Sequence, residues 1–232
     1  MKKNLHFPIY GDDIGYVECV DYLGSDLTVV NSARVSFGKH KTKLDEQDKK
    51  LIRYLIKHRH TSTLEHNFVT FRIKCPIYVA KQHMRHRTWS FNEISRRYTD
   101  ENINIYLSRV LRKQSQLNRQ ASVEEAVLNN DDLVNEIDAH QQASVALYRR
   151  LIKEGVSREQ ARGILPQNLY TEYYASANLN NILKFIELRL HESSQWETQA
   201  IAKPILDISL ALYPETVKAF LDCSGKHKLN LS

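Results

Sequence analysis

The most chemically specialised part of this chain is the segment 85–98, which reads RHRTWSFNEISRRY. Four arginines and a histidine lie close to two serine hydroxyls, an amide and a carboxylate, with Trp89, Phe91 and Tyr98 between them. A core would not hold so many cations, because burying unpaired charge is very costly. A solvated surface has no need of so many aromatic rings. Guanidinium groups bind phosphate oxygens through paired hydrogen bonds, so the segment predicts a site for an anion that carries a flat ring.

Several arginines are expected to contribute to this anion site. Four of them fall near the ends of predicted elements: Arg85, Arg87, Arg97 and Arg162. We expect their side chains to converge on a phosphate, to which each charge-assisted hydrogen bond contributes roughly 1.5–3 kcal/mol. Ser95 adds a hydroxyl and a backbone N–H. The alternative is that these arginines are surface cations of a basic protein with a formal net charge of +6.

The chain lacks the motifs of the commonest nucleotide and metal sites. It has only seven glycines, and none falls in a GxGxxG or P-loop pattern. A dinucleotide would therefore need side chains to neutralise its pyrophosphate, and Arg85, His86 and Arg87 are suited to this. There is no HExxH sequence or closely spaced group of His and Asp ligands, so no metal is predicted.

Length and composition predict one soluble domain over residues 1–232. No apolar run approaches the roughly 20 residues that span a bilayer, and the first residues lack the apolar stretch of a signal peptide. Neither a membrane nor nucleic acid is expected as a partner. The three cysteines, Cys19, Cys75 and Cys223, form no CxxC pair. We interpret each as a buried structural thiol in a reducing cytoplasm, with a nucleophilic role as the alternative.

Apolar periodicity predicts a helix-rich α+β fold with a mixed or antiparallel sheet. Strands are predicted at 16–23, 68–74 and 171–177. Helices are predicted at 26–34 with Asp26 as its cap, at 45–56, 76–84, 132–154 and 157–162, around 183–190, at 195–212 and from Pro214 onward. The polar stretch 108–130 is assigned one or two poorly defined helices. The segment 85–98 begins at a helix end and continues as a loop, where binding residues are often found.

A second polar group lies at 60–66, which reads HTSTLEH. The close grouping of His60, Ser62, Glu65 and His66 is typical of a site wall. Histidines that cap an element or lie at the edge of a core are equally compatible with it. Both interpretations stay open at this point.

The segment 85–98 resembles the signature of the flavin-dependent thymidylate synthases. Nine fixed positions of that signature are present: Arg85, His86, Arg87, Ser90, Asn92, Glu93, Ser95, Arg97 and Tyr98. The stretches 33–37, 60–66, 77–82, 162–166 and 188–197 resemble other blocks of the same family. The resemblance implies an α+β homotetramer that holds FAD and substrate between subunits. It also implies conversion of dUMP to dTMP, with 5,10-methylenetetrahydrofolate as carbon donor, NADPH as reductant and no cysteine nucleophile.

The resemblance further implies roles for individual residues. Those expected near tightly bound FAD are Ser62, Arg85, His86, Arg87, Glu93, Asn178, Asn180 and Lys184, with Ser36 as a weaker match. Those expected around the dUMP phosphate and sugar are Gln82, Arg85, Glu93, Ser95, Arg97 and Arg162. Arg189 is expected to face the uracil ring as the catalytic residue, where its charge would stabilise negative charge on the ring.

Two positions depart from the family pattern. Ser193 occupies a position where the family often has histidine, and His191 is the candidate to replace it in part. Lys184 stands where an amide or a histidine is common near the flavin. Two other functions stay open: a nucleic-acid-binding protein in which Trp89 and Phe91 stack on bases, and an inactive homologue that only binds flavin.

Overall fold

The computed structural model describes residues 5–223. Its strands are β1 (His6–Ile9), β2 (Gly15–Leu23), β3 (Phe68–Pro76), β4 (Ser90–Glu93), β5 (Arg112–Gln114), β6 (Ser122–Ala126) and β7 (Tyr170–Asn178). Its α-helices are α1 (Asp26–Arg34), α2 (Glu46–Lys57), α3 (Ile77–His83), α4 (Asn130–Lys153), α5 (Arg158–Ala161), α6 (Leu179–Arg189), α7 (Trp196–Leu212) and α8 (Pro214–Cys223). Short 3₁₀ helices cover Val35–Phe37, Thr61–Leu64 and Arg162–Ile164. No helix within 5–223 has the length and apolar character needed to cross a membrane.

A five-stranded sheet, in the order β1–β2–β3–β7–β4, is antiparallel at every pairing. Val69, Phe71 and Ile73 of the central strand β3 are fully buried, as the alternating pattern predicts. At one edge β4 pairs with β7, with Asn92 opposite Tyr174. The α+β class with an antiparallel sheet is therefore confirmed.

Helices α6 and α7 cover the sheet and complete the hydrophobic core. Ile201, Ile205 and Ile208 recur at helical spacing and are fully buried, each contributing roughly 1.5–3 kcal/mol. Helix α6 follows β7 without a loop, because the Asn178 side chain accepts a hydrogen bond from Asn181 N at 3.0 Å and so caps the helix. This direct connection determines where Arg189, the last residue of α6, lies.

Several local predictions were wrong. Residues 108–129 form no helix, and α4 begins only at Asn130. The stretch contains the β5–β6 hairpin, whose turn is held by hydrogen bonds from the Gln114 amide to backbone carbonyls such as that of Ala121, at 2.9 Å. Part of the segment 85–98 is the strand β4 rather than loop, and strand β1 was not predicted at all. Helix α5, in contrast, falls within the predicted range 157–162.

The sequence predicted that Asp26 caps its own helix, and this prediction was wrong. Ser25 is the N-cap of α1, and the buried Asp26 carboxylate instead accepts hydrogen bonds at the start of α8. The donors are Glu215 N at 3.0 Å, Thr216 N at 2.9 Å and Thr216 Oγ1 at 2.6 Å. The carboxylate therefore joins two helices that lie almost at opposite ends of the chain.

We expect Asp26→Ala to lower the free energy of unfolding by about 2 kcal/mol or more, because it removes a cap and leaves buried donors unpaired. Urea denaturation measures this loss. The control is Glu46→Gln, which removes only an exposed ion pair with Lys49 and should change stability by less than about 0.5 kcal/mol. Equal effects of the two substitutions would contradict the role of Asp26 at α8.

Candidate functional site

The sheet and helix α3 together position the segment 85–98. Pro76 ends β3 and is the N-cap of α3, a position that needs no backbone N–H donor. Helix α3 ends at His83, and the chain turns through a hydrogen bond from His86 N to the His83 carbonyl at 3.0 Å. It then enters β4, which β7 holds at the sheet edge. The segment is thus fixed at both ends by regular structure.

The buried side chain of His83 packs beneath this turn in the protein core. This residue was not identified from the sequence. Its ring is fully buried, with centroids 4.5 Å from Trp89 and 4.4 Å from Phe185. Its Nδ1 lies 3.0 Å from the Tyr173 hydroxyl. Burial, and after it the nearby His86 and Arg189, lower the pKa of His83 well below its usual value. The only sequence signal was its place on the apolar face of α3, one turn after Val79.

Arg189 is held between two acceptors contributed by α3 and the turn after it. Its Nε donates to His86 Nε2 at 3.2 Å, and its Nη2 donates to the Gln82 carbonyl oxygen at 3.0 Å. Burial, followed by the Arg189 charge, lowers the pKa of His86 to about 4. His86 is therefore neutral at pH 7 and can accept this hydrogen bond.

Arg189 and Gln82 border a cavity of about 620 Å³, which we call the Arg189 cavity. It is lined by Gln82, Gln120, Lys184, Glu187, Leu188, Arg189, His191, Ser193, Ser194 and Gln195. Lys184 and Ser193, the two residues that depart from the family pattern, both line this cavity. His191 Nδ1 is 2.7 Å from the Ser193 hydroxyl, so this pair forms one polar group beside Arg189.

A second group of predicted substrate residues lies elsewhere. Glu93, Ser95 and Arg162 line a cavity of about 420 Å³, which we call the Ser95 cavity. The Thr171 hydroxyl donates to the Glu93 carboxylate at 2.5 Å. The Ser95 cavity shares no lining residue with the Arg189 cavity. In this chain, Gln82 and Arg189 therefore line one cavity, and Glu93, Ser95 and Arg162 line another.

In this chain the arginines of the segment 85–98 have different surroundings. The buried Arg96 guanidinium donates to the backbone carbonyls of Glu101 at 2.5 Å and Asn102 at 3.2 Å, so it holds the following loop. Arg97 is exposed, with its Nη2 3.9 Å from a Glu159 oxygen. Arg85 and Arg87 are exposed in the turn after α3 and line neither cavity.

Of the residues expected near FAD, Asn178, Asn180 and Lys184 lie at or on α6, and the others lie on other elements. Asn178 caps this helix, and Asn180 Nδ2 donates to Glu65 Oε1 at 2.9 Å. Ser62 is exposed on the 3₁₀ helix Thr61–Leu64. Asn180 and Lys184 line a cavity of about 280 Å³, which we call the Lys184 cavity.

The Lys184 cavity fits part of a flavin dinucleotide. It has cations from Lys57, Arg59 and Lys184, which suit a pyrophosphate, and an apolar wall that suits a ring: Leu55, Ile56, Leu64, Leu183 and Phe220. It shares Lys184 and Glu187 with the Arg189 cavity. The two cavities are therefore adjacent along α6, where an extended cofactor could contact both.

The cysteines are placed far less uniformly than expected. Cys75 is fully buried, and burial raises the pKa of its thiol far above the usual value, which makes it a poor nucleophile. Cys19 is partly buried, whereas Cys223 is exposed, so the prediction of a buried thiol was wrong there. None of the three lines the Arg189 cavity or the Ser95 cavity. No group of three or more His, Cys, Asp or Glu residues within 5–223 could hold a metal ion.

The chain is similar to known proteins along most of its length. A family model described as thymidylate synthase complementing protein matches residues 18–215. A flavin-dependent thymidylate synthase of Thermus thermophilus is 42% identical over 220 residues, covering 95% of this chain and 80% of the relative. The chain belongs to the flavin-dependent thymidylate synthase family.

Another relative is similar to this chain in sequence, and a solved structure is similar to it in fold. A flavin-dependent thymidylate synthase of Thermosipho melanesiensis is 40% identical over 210 residues, covering 90% of this chain and 91% of the relative. The crystal structure of a UMP/dUMP methylase from Streptomyces cacaoi, bound with 5-Br dUMP, superposes with a TM-score of 0.81 at 33% identity. That match covers 89% of this chain and 94% of the other. The same enzyme bound with 5-Br UMP gives a TM-score of 0.80.

The lowered pKa of His86 predicts how the free energy of unfolding depends on pH. Because the folded pKa is about 4 and the usual value is 6.5, the unfolded state binds more protons between these two pH values. The stability contributed by the neutral ring is complete above pH 6.5 and is lost as the pH falls toward 4. NMR titration of the His86 ring should give a midpoint near pH 4.

The Arg189→Met variant supplies the control for this titration. Removing the charge should raise the pKa of His86, but not to 6.5, because burial of the ring remains as the larger cause. A wild-type ring that titrates near pH 6.5 would contradict the neutral acceptor described above.

Proposed function

We propose that this chain catalyses the reductive methylation of dUMP to dTMP. In this proposal FAD is the bound cofactor, 5,10-methylenetetrahydrofolate is the carbon donor and NADPH is the reductant. One observation carries it: the half-buried Arg189 guanidinium, oriented by His86 and Gln82 beside a cavity of about 620 Å³. Family membership and the nucleotide-bound Streptomyces enzyme support the same chemistry.

Arg189 has hydrogen-bond donors left for the pyrimidine. An arginine side chain has five N–H donors, and His86 and Gln82 accept two of them, so three remain. In our proposal these donate to a uracil carbonyl oxygen next to N3. A fixed cation there stabilises negative charge that develops on the ring, which makes C5 a better nucleophile without a covalent thiol adduct. The buried position of Cys75 is consistent with this.

The neutral state of His86 supports the role of Arg189. A protonated ring at 3.2 Å would repel the guanidinium and compete for the same anionic group, whereas the neutral ring only accepts from it. Burial of Arg189 also lowers its own pKa, a sign that the cation is partly desolvated. Partial desolvation strengthens its interaction with a charged ligand.

The phosphate and sugar of dUMP are assigned to the Ser95 cavity. Arg162 would supply a cation, Ser95 a hydroxyl, and Glu93 an acceptor for the ribose. Arg97 is exposed and outside the lining of this cavity, and it would add a second cation from there. The Ser95 and Arg189 cavities have no lining residue in common. We propose that the chain forms a homotetramer in which the two groups of residues come from different subunits and meet on one nucleotide.

The flavin is assigned to the adjacent Lys184 cavity. Lys184 and Arg59 would neutralise its pyrophosphate, Asn180 would hydrogen-bond to it, and Arg85, His86 and Arg87 would approach it from the turn after α3. When bound, FAD supplies a ring that accepts hydride from the reductant and passes reducing equivalents on to the methylated base. The cytoplasmic location stays a prediction.

The proposed function is tested by measuring dTMP formation from dUMP with each of FAD, NADPH and methylenetetrahydrofolate omitted in turn. The purified protein should be yellow, so the omission of FAD is made with protein stripped of its flavin. Activity should then require all three. UMP serves as a matched substrate, because the Streptomyces relative is described as a UMP/dUMP methylase. A yellow protein that does not release the C5 proton of dUMP would favour an inactive homologue. A colourless protein that shifts oligonucleotides would favour nucleic-acid binding.

We expect Arg189→Ala to abolish dTMP formation, by about 10³-fold or more, because it removes the charge that stabilises the reacting ring. FAD content, measured by absorbance, should stay close to that of the wild type. Arg189→Lys is the control: it keeps the charge without the fixed fork of donors and should retain a small part of the activity. Full turnover by Arg189→Ala would refute the role assigned to this residue.

The shared site predicts complementation between inactive subunits. Arg189→Ala damages one cavity and Arg162→Ala the other, so each variant alone should have little activity at low dUMP. After the two are mixed, denatured and refolded together, about a quarter of the sites should combine two intact halves if subunits associate at random. Activity that never exceeds that of the single variants would contradict a site built from two subunits.

A further inference from the structure

Glu197, near the start of α7, is a buried carboxylate with a specific set of partners. It is 2% exposed, and Arg112 of the β5–β6 hairpin donates to its Oε1 at 2.6 Å. The Arg112 guanidinium also lies 5.5 Å from the centre of the Trp196 ring. The second carboxylate oxygen accepts a hydrogen bond from Gln195 Nε2 at 2.8 Å. One oxygen of the Glu197 carboxylate is therefore paired with a guanidinium, and the other accepts a hydrogen bond from an amide.

From Glu197 a directed chain of hydrogen bonds reaches the Arg189 cavity. Gln195 Oε1 accepts from Gln82 Nε2, and Gln82 Oε1 accepts from the Thr198 hydroxyl at 3.1 Å. Gln82 and Gln195 both line the cavity. Gln82 also holds Arg189 through its backbone carbonyl. The chain thus ends on a residue assigned to the nucleotide.

The carboxylate determines the direction of the whole chain. An ionised carboxylate accepts hydrogen bonds and donates none, so Gln195 must turn its NH₂ group toward Glu197 and its oxygen toward Gln82. Gln82 must then turn its NH₂ group toward Gln195 and its oxygen toward Thr198. If the acceptor at position 197 became a donor, both amides would turn over together, because the Thr198 hydroxyl can accept as well as donate.

We propose that Glu197 is a positioning residue that sets the orientation of the Gln82 amide through Gln195. The proposal rests on the function proposed above and on the contact between Gln82 and the pyrimidine nucleotide that the family resemblance implies. With the observed orientation, Gln82 presents its remaining N–H donor and its remaining lone pair at defined places on the cavity wall. The reversed orientation exchanges donor and acceptor there and leaves the nucleotide with mismatched partners.

Glu197→Gln tests this directly. Arg112 only donates, so it should draw the new amide oxygen toward itself and leave the NH₂ group facing Gln195, which reverses the chain. We expect the dissociation constant of dUMP, measured by calorimetry on the FAD-loaded protein, to rise about tenfold or more. FAD content should not change. An unchanged dissociation constant would overturn the proposal.

A compensating swap separates positioning from general damage. In the double variant Glu197→Gln/Gln195→Glu, the amide at 197 donates to the new carboxylate at 195, which again accepts from Gln82 Nε2. The original orientation of Gln82 is restored, so the dissociation constant should return to within about threefold of the wild-type value. If the swap binds dUMP as poorly as Glu197→Gln alone, Glu197 does not act through Gln195.

A buried carboxylate away from the site gives the matched control. Asp26 is 4% exposed, and its carboxylate caps α8. The Asp26→Asn substitution removes its charge. It should lower the melting temperature without changing dUMP affinity. A similar loss of affinity in Asp26→Asn would mean that general destabilisation explains the result, and the proposal would fail.

One measurement distinguishes failure of this proposal from failure of the proposed function. Neutron diffraction from the ligand-free protein locates the amide hydrogens of Gln82 directly. In the wild type they should point toward Gln195, and in Glu197→Gln toward Thr198. A wild type that binds no dUMP but has these orientations would refute the function and leave the positioning chain intact. An unchanged Gln82 amide in the variant would refute the chain.

Discussion

A half-buried guanidinium held by two neutral acceptors is the interaction on which the rest of the site depends. Removing a cation from water is costly unless polar groups replace the solvent. His86 Nε2 and the Gln82 carbonyl oxygen do this for Arg189. Because the acceptors lie at the end of α3 and in the turn after it, while Arg189 ends α6, these elements must meet at one point. The burial that keeps His86 neutral is therefore part of the same constraint.

Buried carboxylates join segments that are distant in the chain. Asp26 connects α1 to α8, and Glu197 connects α7 to the β5–β6 hairpin. Asp48 is fully buried and pairs with Arg34 at 2.6 Å and Lys41 at 2.9 Å. In each case donors replace the lost water, since an unpaired buried charge would be strongly destabilising. These contacts hold the outer elements around the sheet and leave the cavities beside α6 open.

The elements that were predicted correctly have a strong local signal. The alternation of Val69, Phe71 and Ile73 identified β3, and the apolar stripe of Ile52 and Leu55 identified α2. The hairpin gave no such signal, because its residues are polar and mostly exposed. Its position depends on the ion pair between Arg112 and Glu197, which are 85 residues apart. No periodicity in a short window can reveal a contact of that kind.

For the site, the spacing of the segment 85–98 was sufficient to identify the family and to nominate its polar residues. By itself the sequence determined which chemical groups are available: guanidinium forks, a histidine, serine hydroxyls and no reactive cysteine pair. Only the tertiary structure decided how they are grouped. It placed Arg189 with His86, placed Arg162 with Ser95 in another cavity, and used Arg96 to hold a loop. The reason is physical: residue type sets what a side chain can bind, whereas burial and long-range packing set which partners it meets and what charge it carries there.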